Sequence, residues 1–184
     1  MTELMTTFYE RAATFSTLVG GAAGHWDDPS PCEGWTAADV VAHVIETERD
    51  FLARRGIDVG AAPDLRDPLD AWTNHLAAVR RLLADATLVT ATYDGWFGPT
   101  SIENMMNDFY GWDLAVHGWD LASATGQGNP ITEDLAESLD KGADAWGAAL
   151  YGEGVCGTAV AIDPGADATD RLLARLGRDP EWSS

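Results

Sequence analysis

Hydrophobic residues recur every three or four positions in three successive stretches of the chain, with polar residues between them. This period is that of an amphipathic α-helix, whose apolar stripe faces a core. The first stretch ends at the pair Gly20-Gly21 and the second near Gly56. The three stripes consist of Met5, Phe8, Ala12, Phe15 and Val19; of Val40, Val41, Val44, Ile45, Phe51 and Leu52; and of Leu69, Trp72, Leu76, Val79, Leu83 and Ala86.

Residues that favour helix starts precede the second and third stripes. Thr36 with Asp39 three residues later is a capping-box pattern, and Asp67-Pro68 places proline at a first helical position. After the third stripe, residues 88–96 are rich in Val, Thr and Tyr, which predicts a short extended segment. The sequence therefore predicts three helices followed by a brief strand-like piece.

Residues 100–126 contain no proline, and we expect one long helix there. Thr100 with Glu103 predicts a capping box at its start, and Gly126 predicts its end. One face of this helix is apolar at its beginning and ionisable further on. Its residues, at spacings of three and four, are Met106, Tyr110, Asp113, His117 and Asp120.

Two more helices are predicted in the C-terminal third. One begins at Ile131-Thr132, and a short one spans 167–177 between Asp167 and Gly177. The apolar run 158–162 is expected to lie extended across the helices. The whole pattern favours an all-α fold, a four-helix bundle with a short C-terminal helix, with residues 1–184 in one domain.

Composition excludes some function classes. The 30 acidic residues against 11 basic ones give a formal charge of −19, which repels phosphate backbones and anionic lipid surfaces. Neither nucleic acid nor a membrane is therefore an expected partner. With no signal peptide, no apolar run near 18 residues and two distant cysteines, we expect a cytoplasmic protein. A homodimer is compatible with this charge only through an apolar interface.

Asp113 and His117 carry the main functional clue. Their separation of four residues puts a carboxylate and an imidazole side by side on one helix, in a segment too apolar to be mainly exposed. Such a pair binds a metal, or it is an ion pair or a hydrogen-bonded core pair. His43, on the second helix, would complete a Zn²⁺ or Fe²⁺ donor set, but spacing alone does not bring it to Asp113.

Residues 31–44, PCEGWTAADVVAHV, and residues 113–126, DLAVHGWDLASATG, resemble the metal-binding domain of mycothiol-dependent maleylpyruvate isomerases. The likeness is strongest to the single-domain branch of actinobacterial metal-binding proteins within the DinB-like superfamily. Residues 167–182 are also similar to that branch. The resemblance implies a four-helix bundle that binds a divalent metal, Zn²⁺ first with Ni²⁺ or Fe²⁺ as alternatives.

By position in these motifs, the resemblance implies the metal ligands His43, Asp113 and His117. It also implies a low-molecular-weight thiol, mycothiol, that reacts with a small electrophile in a thiol transferase or isomerase-like reaction. Asp113 stands where the isomerase has glutamate, and the family's substrate-binding second domain is not expected here. Maleylpyruvate isomerisation itself is therefore not expected. The alternatives are a non-catalytic or stress-associated metal-binding module and a metal-assisted hydrolase.

Several other residues are weaker candidates. Asp120 would be either an acceptor that orients an imidazole or a surface acid, and Glu46 an additional oxygen ligand. Cys32 precedes the second helix and is interpreted as a small buried residue rather than a nucleophile. Tyr110 and Met106 are expected to line a ligand pocket above the metal. His25 and His75 are expected at the surface.

Overall fold

The structure is a computed structural model that describes residues 2–95, 98–152 and 154–183. Helices dominate it, and the fold is all-α apart from one small antiparallel hairpin. In chain order the α-helices are α1 (Glu3–Gly21), α2 (Ala37–Ala53), α3 (Pro68–Leu83), α4 (Ala86–Thr90), α5 (Ile102–Met105), α6 (Trp112–Ala124), α7 (Glu133–Trp146) and α8 (Ala168–Arg175). A π-helical segment (Met106–Gly111) joins α5 to α6, and a 3₁₀ turn (Gly147–Tyr151) follows α7.

The hairpin consists of β1 (Thr92–Gly95) and β2 (Gly98–Ser101), with Thr92 opposite Ser101 and Gly95 opposite Gly98. The extended segment predicted for residues 88–96 is thus confirmed in its second part, whereas its first part belongs to α4. Trp96, at its end, lies outside the described residues.

The predicted helix starts at Thr36, Asp67 and Asp167 are confirmed by side-chain hydrogen bonds. Thr36 accepts from the Asp39 N–H while the Asp39 carboxylate accepts from the Thr36 N–H, a complete capping box. Asp67 and Asp167 each accept from the N–H three residues later. These bonds satisfy donors that the first helical turn leaves unpaired, which is why local sequence predicted them correctly.

The longer helices pack so that the candidate ligands come together. α1 and α2 each pack against both α3 and α6, which places α2 beside α6. Most buried hydrophobic residues of α1, α2 and α3 form one cluster. A second cluster joins the other side of α6 to α7 and α8 through Trp112, Val116 and Trp119. In the part of the chain that is described, no helix is both long and apolar enough to cross a bilayer.

The start of the central helix differs from the prediction. Thr100 does not cap it, because the helix begins one residue later and Thr100 pairs with Tyr93 in the hairpin. Ser101 is the N-cap instead, and its hydroxyl accepts from the Asn104 N–H. The helix is also not regular, since the π segment interrupts it. There the partly buried Arg11 of α1 donates to the carbonyl of Asn107 at 3.3 Å, the kind of side-chain insertion that accompanies helix irregularities.

Three other expectations about burial were wrong. Leu69, in the first turn of α3, is 43% exposed and lines a groove. Ala86 is exposed at the start of α4, directly after the N-cap Asp85. The run 158–162 does not cross the helices. It is largely exposed and lies alongside α8, where the Val160 N–H donates to the carbonyl of Ala174.

Candidate metal centre

Three donor groups from α2 and α6 converge at one point. One ring nitrogen each of His43 and His117 and one carboxylate oxygen of Asp113 lie within 4.8 Å of one another. The centroids of the two imidazole rings are 4.9 Å apart, and the ring planes are inclined at 69° to each other. The structure thus brings together the three residues predicted as ligands, including His43, whose approach to α6 only the packing of α2 could decide.

The two nitrogens of His117 have different neighbours. Nε2 lies 3.4 Å from Asp113 Oδ1, on the side of His43. Nδ1 lies 2.8 Å from Asp120 Oδ2. Because the Nδ1–H donates to a carboxylate, Nε2 is the nitrogen directed to the candidate centre, a common arrangement for a metal-binding histidine. Asp120 therefore has the position of the imidazole acceptor that the sequence left as one of two alternatives.

Asp120 is fully buried, and two of the residues that donate to it, Arg178 and Cys32, come from distant parts of the chain. Arg178, which follows α8, donates from Nε to Oδ1 at 3.1 Å and from Nη2 to Oδ2 at 2.7 Å. Cys32 donates its thiol to Oδ2 at 3.3 Å. With His117 these donors saturate the carboxylate, so its burial is compensated.

The pKa values of the site follow from these contacts. Burial would lower the pKa of His117, but the charge of Asp113 and the hydrogen bonds to Asp120 and Cys32 raise it to about 10. Burial and the neighbouring His117 lower the pKa of His43. Burial would raise the pKa of Asp120, yet Arg178 and His117 hold it well below its usual range. The metal-free centre thus carries an imidazolium flanked by two carboxylates.

A second cluster of donor atoms shares His117 with the first. Cys32, His117 and Asp120 also have atoms within 4.8 Å of one another. In this cluster the Arg178 guanidinium lies 2.7 Å from Asp120 and 3.8 Å from the Cys32 sulfur. A fixed positive charge at that distance opposes a second cation. Electrostatics therefore favour the cluster on the Nε2 side of His117 as the metal centre.

Trp35, in the loop before α2, forms an aromatic wall beside the centre. Its ring centroid is 4.7 Å from that of His43 and 6.0 Å from that of His117. The side chains of His117 and Asp113 remain 9% and 15% exposed, so the centre lies near the surface. Trp35 was not recognised in the sequence, because it lies in the loop before α2 and no helical spacing relates it to His117.

Tyr110 and Met106, predicted to line a ligand pocket, are core residues. Met106 is fully buried, and Tyr110 is 7% exposed with its hydroxyl donating to the carbonyl of Thr47. Burial is the main cause that raises the pKa of Tyr110. Contact of either residue with a ligand stays a prediction. Glu46 is exposed, on the side of α2 away from the core.

Two cavities of the structure lie away from the centre. A groove of about 670 Å³ runs between α1 and α3, and its lining includes Leu69, Trp72 and Arg80. A cavity of about 40 Å³ lies near Arg11 and Leu114. Neither is lined by the three candidate ligands.

His75 was expected at the surface, which is wrong. It is 1% exposed and hydrogen-bonded to Glu48 of α2, itself 3% exposed. His75 Nδ1 and Glu48 Oε1 are buried without a hydrogen-bond partner among the described residues. The sequence held a signal for the burial of His75, which lies three residues after Trp72 and four before Val79, but none for its partner. His25 is exposed as expected and pairs with Asp28.

Comparison with known proteins identifies the family of the chain. Residues 9–122, more than half of the chain, match the family model described as "mycothiol maleylpyruvate isomerase N-terminal domain". The chain belongs to this family. The matched residues include His43, Asp113 and His117, the three candidate ligands.

Among curated proteins, the chain is similar to an uncharacterized protein found in two strains of Mycobacterium tuberculosis. Each match is 31% identical over 134 residues and covers 61% of this chain and 52% of the relative. The chain thus spans about half the length of these relatives. No solved structure matches the chain significantly.

Proposed function

We propose that this member of the mycothiol maleylpyruvate isomerase N-terminal domain family binds one divalent cation, Zn²⁺ first, through His43, Asp113 and His117. The supporting observation is the convergence of these three donor groups from two helices within 4.8 Å. Two imidazoles and one carboxylate are a donor set for catalytic Zn²⁺, and also for Fe²⁺ or Ni²⁺. Within a DinB-like four-helix bundle, such a site is built from side chains on facing helices.

The remaining coordination position is proposed to receive a low-molecular-weight thiol of the mycothiol type. A bound divalent cation would supply a thiolate at neutral pH, because it lowers the pKa of a coordinated thiol. The chain's own residues orient the ligand His117 and line one side of the site. Asp120 orients His117, while Trp35 provides an apolar wall at the partly exposed edge. The reaction class that fits is transfer of the thiol to a small electrophile.

Metal-assisted hydrolysis fits the geometry less well. It needs a general base close to the attacking water. Asp120 is saturated by His117, Cys32 and Arg178, and Glu46 is exposed on α2. Neither Asp120 nor Glu46 is therefore available at the centre as a general base.

A non-catalytic metal-binding module is the second candidate. The 670 Å³ groove between α1 and α3 does not reach the ligands, whereas an enzyme of small substrates usually has a pocket of about 300 Å³ or more at its centre.

Metal content tests the first step of the proposal. Wild-type protein purified without chelator or nickel resin, then incubated with zinc and desalted, should retain about one ion per chain. His117→Ala should retain none, and the exposed His25→Ala, the matched control, should behave as wild type. Wild-type protein without metal after zinc incubation would contradict the proposal and leave Asp113 and His117 as a buried ion pair.

Thiol binding separates the enzyme from the module. Calorimetric titration with mycothiol should show binding to zinc-loaded wild-type protein and none to the metal-free form or to His117→Ala. Absence of binding to the zinc-loaded protein would refute the thiol transferase proposal and favour the non-catalytic module.

A further inference from the structure

Arg178 is a buried arginine that lies 58 residues from the carboxylate it binds. It is 9% exposed, and its guanidinium holds both oxygens of Asp120, at 3.1 and 2.7 Å. Its remaining contacts are to the carbonyl of Leu176 at 3.1 Å and the sulfur of Cys32 at 3.8 Å. Residue 178 lies beyond the stretch 9–122 that the family model matches. A part of the chain outside the matched stretch therefore reaches the candidate centre.

The backbone after α8 explains why Arg178 is directed inward. Gly177 has a φ of +79° and ends the helix, while the Arg178 N–H returns to the carbonyl of Leu173. Gly177 also touches the backbone of Gly157 so closely that a Cβ on it would lie 2.7 Å from Gly157 Cα. Both the positive φ and this contact require glycine, so Gly177 determines the turn that directs Arg178 toward Asp120.

We propose that Arg178 is a positioning residue for the metal centre, which acts through Asp120 on the His117 ring. The inference rests on the proposed function, since it assumes that His117 is a ligand. The order of contacts supports it: guanidinium to carboxylate, then carboxylate to Nδ1, with Nε2 on the side of Asp113 and His43. Through these contacts Arg178 would fix the orientation of His117, although the segment after α8 supplies no metal ligand itself.

The bidentate geometry gives the physical reason. Two parallel hydrogen bonds fix both the position and the plane of the Asp120 carboxylate, which a single contact would not do. The plane of the carboxylate determines where Oδ2 lies, and Oδ2 receives the His117 Nδ1–H at 2.8 Å. Without the guanidinium, the carboxylate can rotate and the ring loses its fixed orientation. A lysine in place of Arg178 would keep the positive charge but could not form the two parallel hydrogen bonds.

Zinc affinity of full-length variants tests the proposal. Arg178→Met should weaken zinc binding about 10- to 100-fold, the usual effect of losing a partner that orients a ligand. Arg178→Lys should retain part of the affinity. Arg175→Met is the matched control, because Arg175 ties α8 to Asp140 and Asp144 of α7 and has no contact with the centre. It should change zinc affinity less than about twofold, because its partners lie on α7 and not at the centre.

A double-substitution cycle and a metal-free measurement complete the test. Asp120→Asn combined with Arg178→Met should be no weaker in zinc binding than Asp120→Asn alone, because Arg178 acts through Asp120. In metal-free wild-type protein, the His117 Nδ1–H should give a protected imidazole resonance in ¹⁵N NMR spectra. This signal should be lost in Arg178→Met and kept in Arg175→Met.

The outcomes distinguish the two proposals. If wild-type protein binds no zinc but the Nδ1–H signal depends on Arg178, the metal function fails and Arg178 is shown to position the ring alone. If zinc binds and both Arg178 variants match Arg175→Met in affinity and spectra, the positioning role is refuted. Should Arg178→Met not fold, Arg178→Lys compared with Arg175→Lys decides by the same criteria.

Discussion

Metal binding should release one proton per chain at neutral pH, and His117 is its source. The neighbouring carboxylates of Asp113 and Asp120 outweigh the effect of burial and raise the pKa of His117 to about 10. Nε2 must lose its proton before it can bind a metal. The lowered pKa of His43 leaves that imidazole neutral at pH 7, so it contributes no proton.

The size of the effect follows from the difference between the pKa and the pH. At pH 7, three units below a pKa of about 10, proton competition weakens the apparent metal affinity about 1000-fold, roughly 4 kcal/mol. Between pH 7 and 9 the apparent affinity should therefore rise about tenfold per pH unit. At pH values above about 10 it should level off.

Two measurements check this prediction. Zinc affinity by competition with a chelator, from pH 6.5 to 9, should give a slope of one, and calorimetry in buffers of different ionisation enthalpy should give one proton released. Asp120→Asn, which removes one cause of the raised pKa, should flatten the slope. A slope near zero in wild-type protein would refute the imidazolium, and a release of two protons would refute a neutral His43.

Other substitutions test the buried pair and the capping box by urea unfolding of the metal-free protein. Glu48→Ala leaves His75 buried without its partner and should cost about 3 kcal/mol of unfolding free energy, while the exposed Glu46→Ala should cost less than about 0.5 kcal/mol; equal effects would contradict the argument. Thr36→Ala removes the acceptor of the Asp39 N–H and should cost about 1 kcal/mol, and an unchanged unfolding midpoint would show that the capping box is not stabilising.

Local features were determined by the sequence itself. The capping box at Thr36, the start at Asp67-Pro68 and the side-by-side placement of Asp113 and His117 involve residues three to four positions apart. Such contacts form within one or two helical turns, so spacing is sufficient to predict them. Resemblance to a family then indicated His43, which spacing could not connect to α6.

Tertiary structure decided which distant groups share a site. His75 was assigned to the surface because its position on the edge of a helical stripe does not say which helix covers it, and only the packing of α2 on α3 brings Glu48 to it. Arg178 reaches Asp120 through a glycine turn that packs on another loop. Contacts across 27 and 58 residues depend on how helices pack against one another, and no local pattern of hydrophobic and polar residues encodes that arrangement.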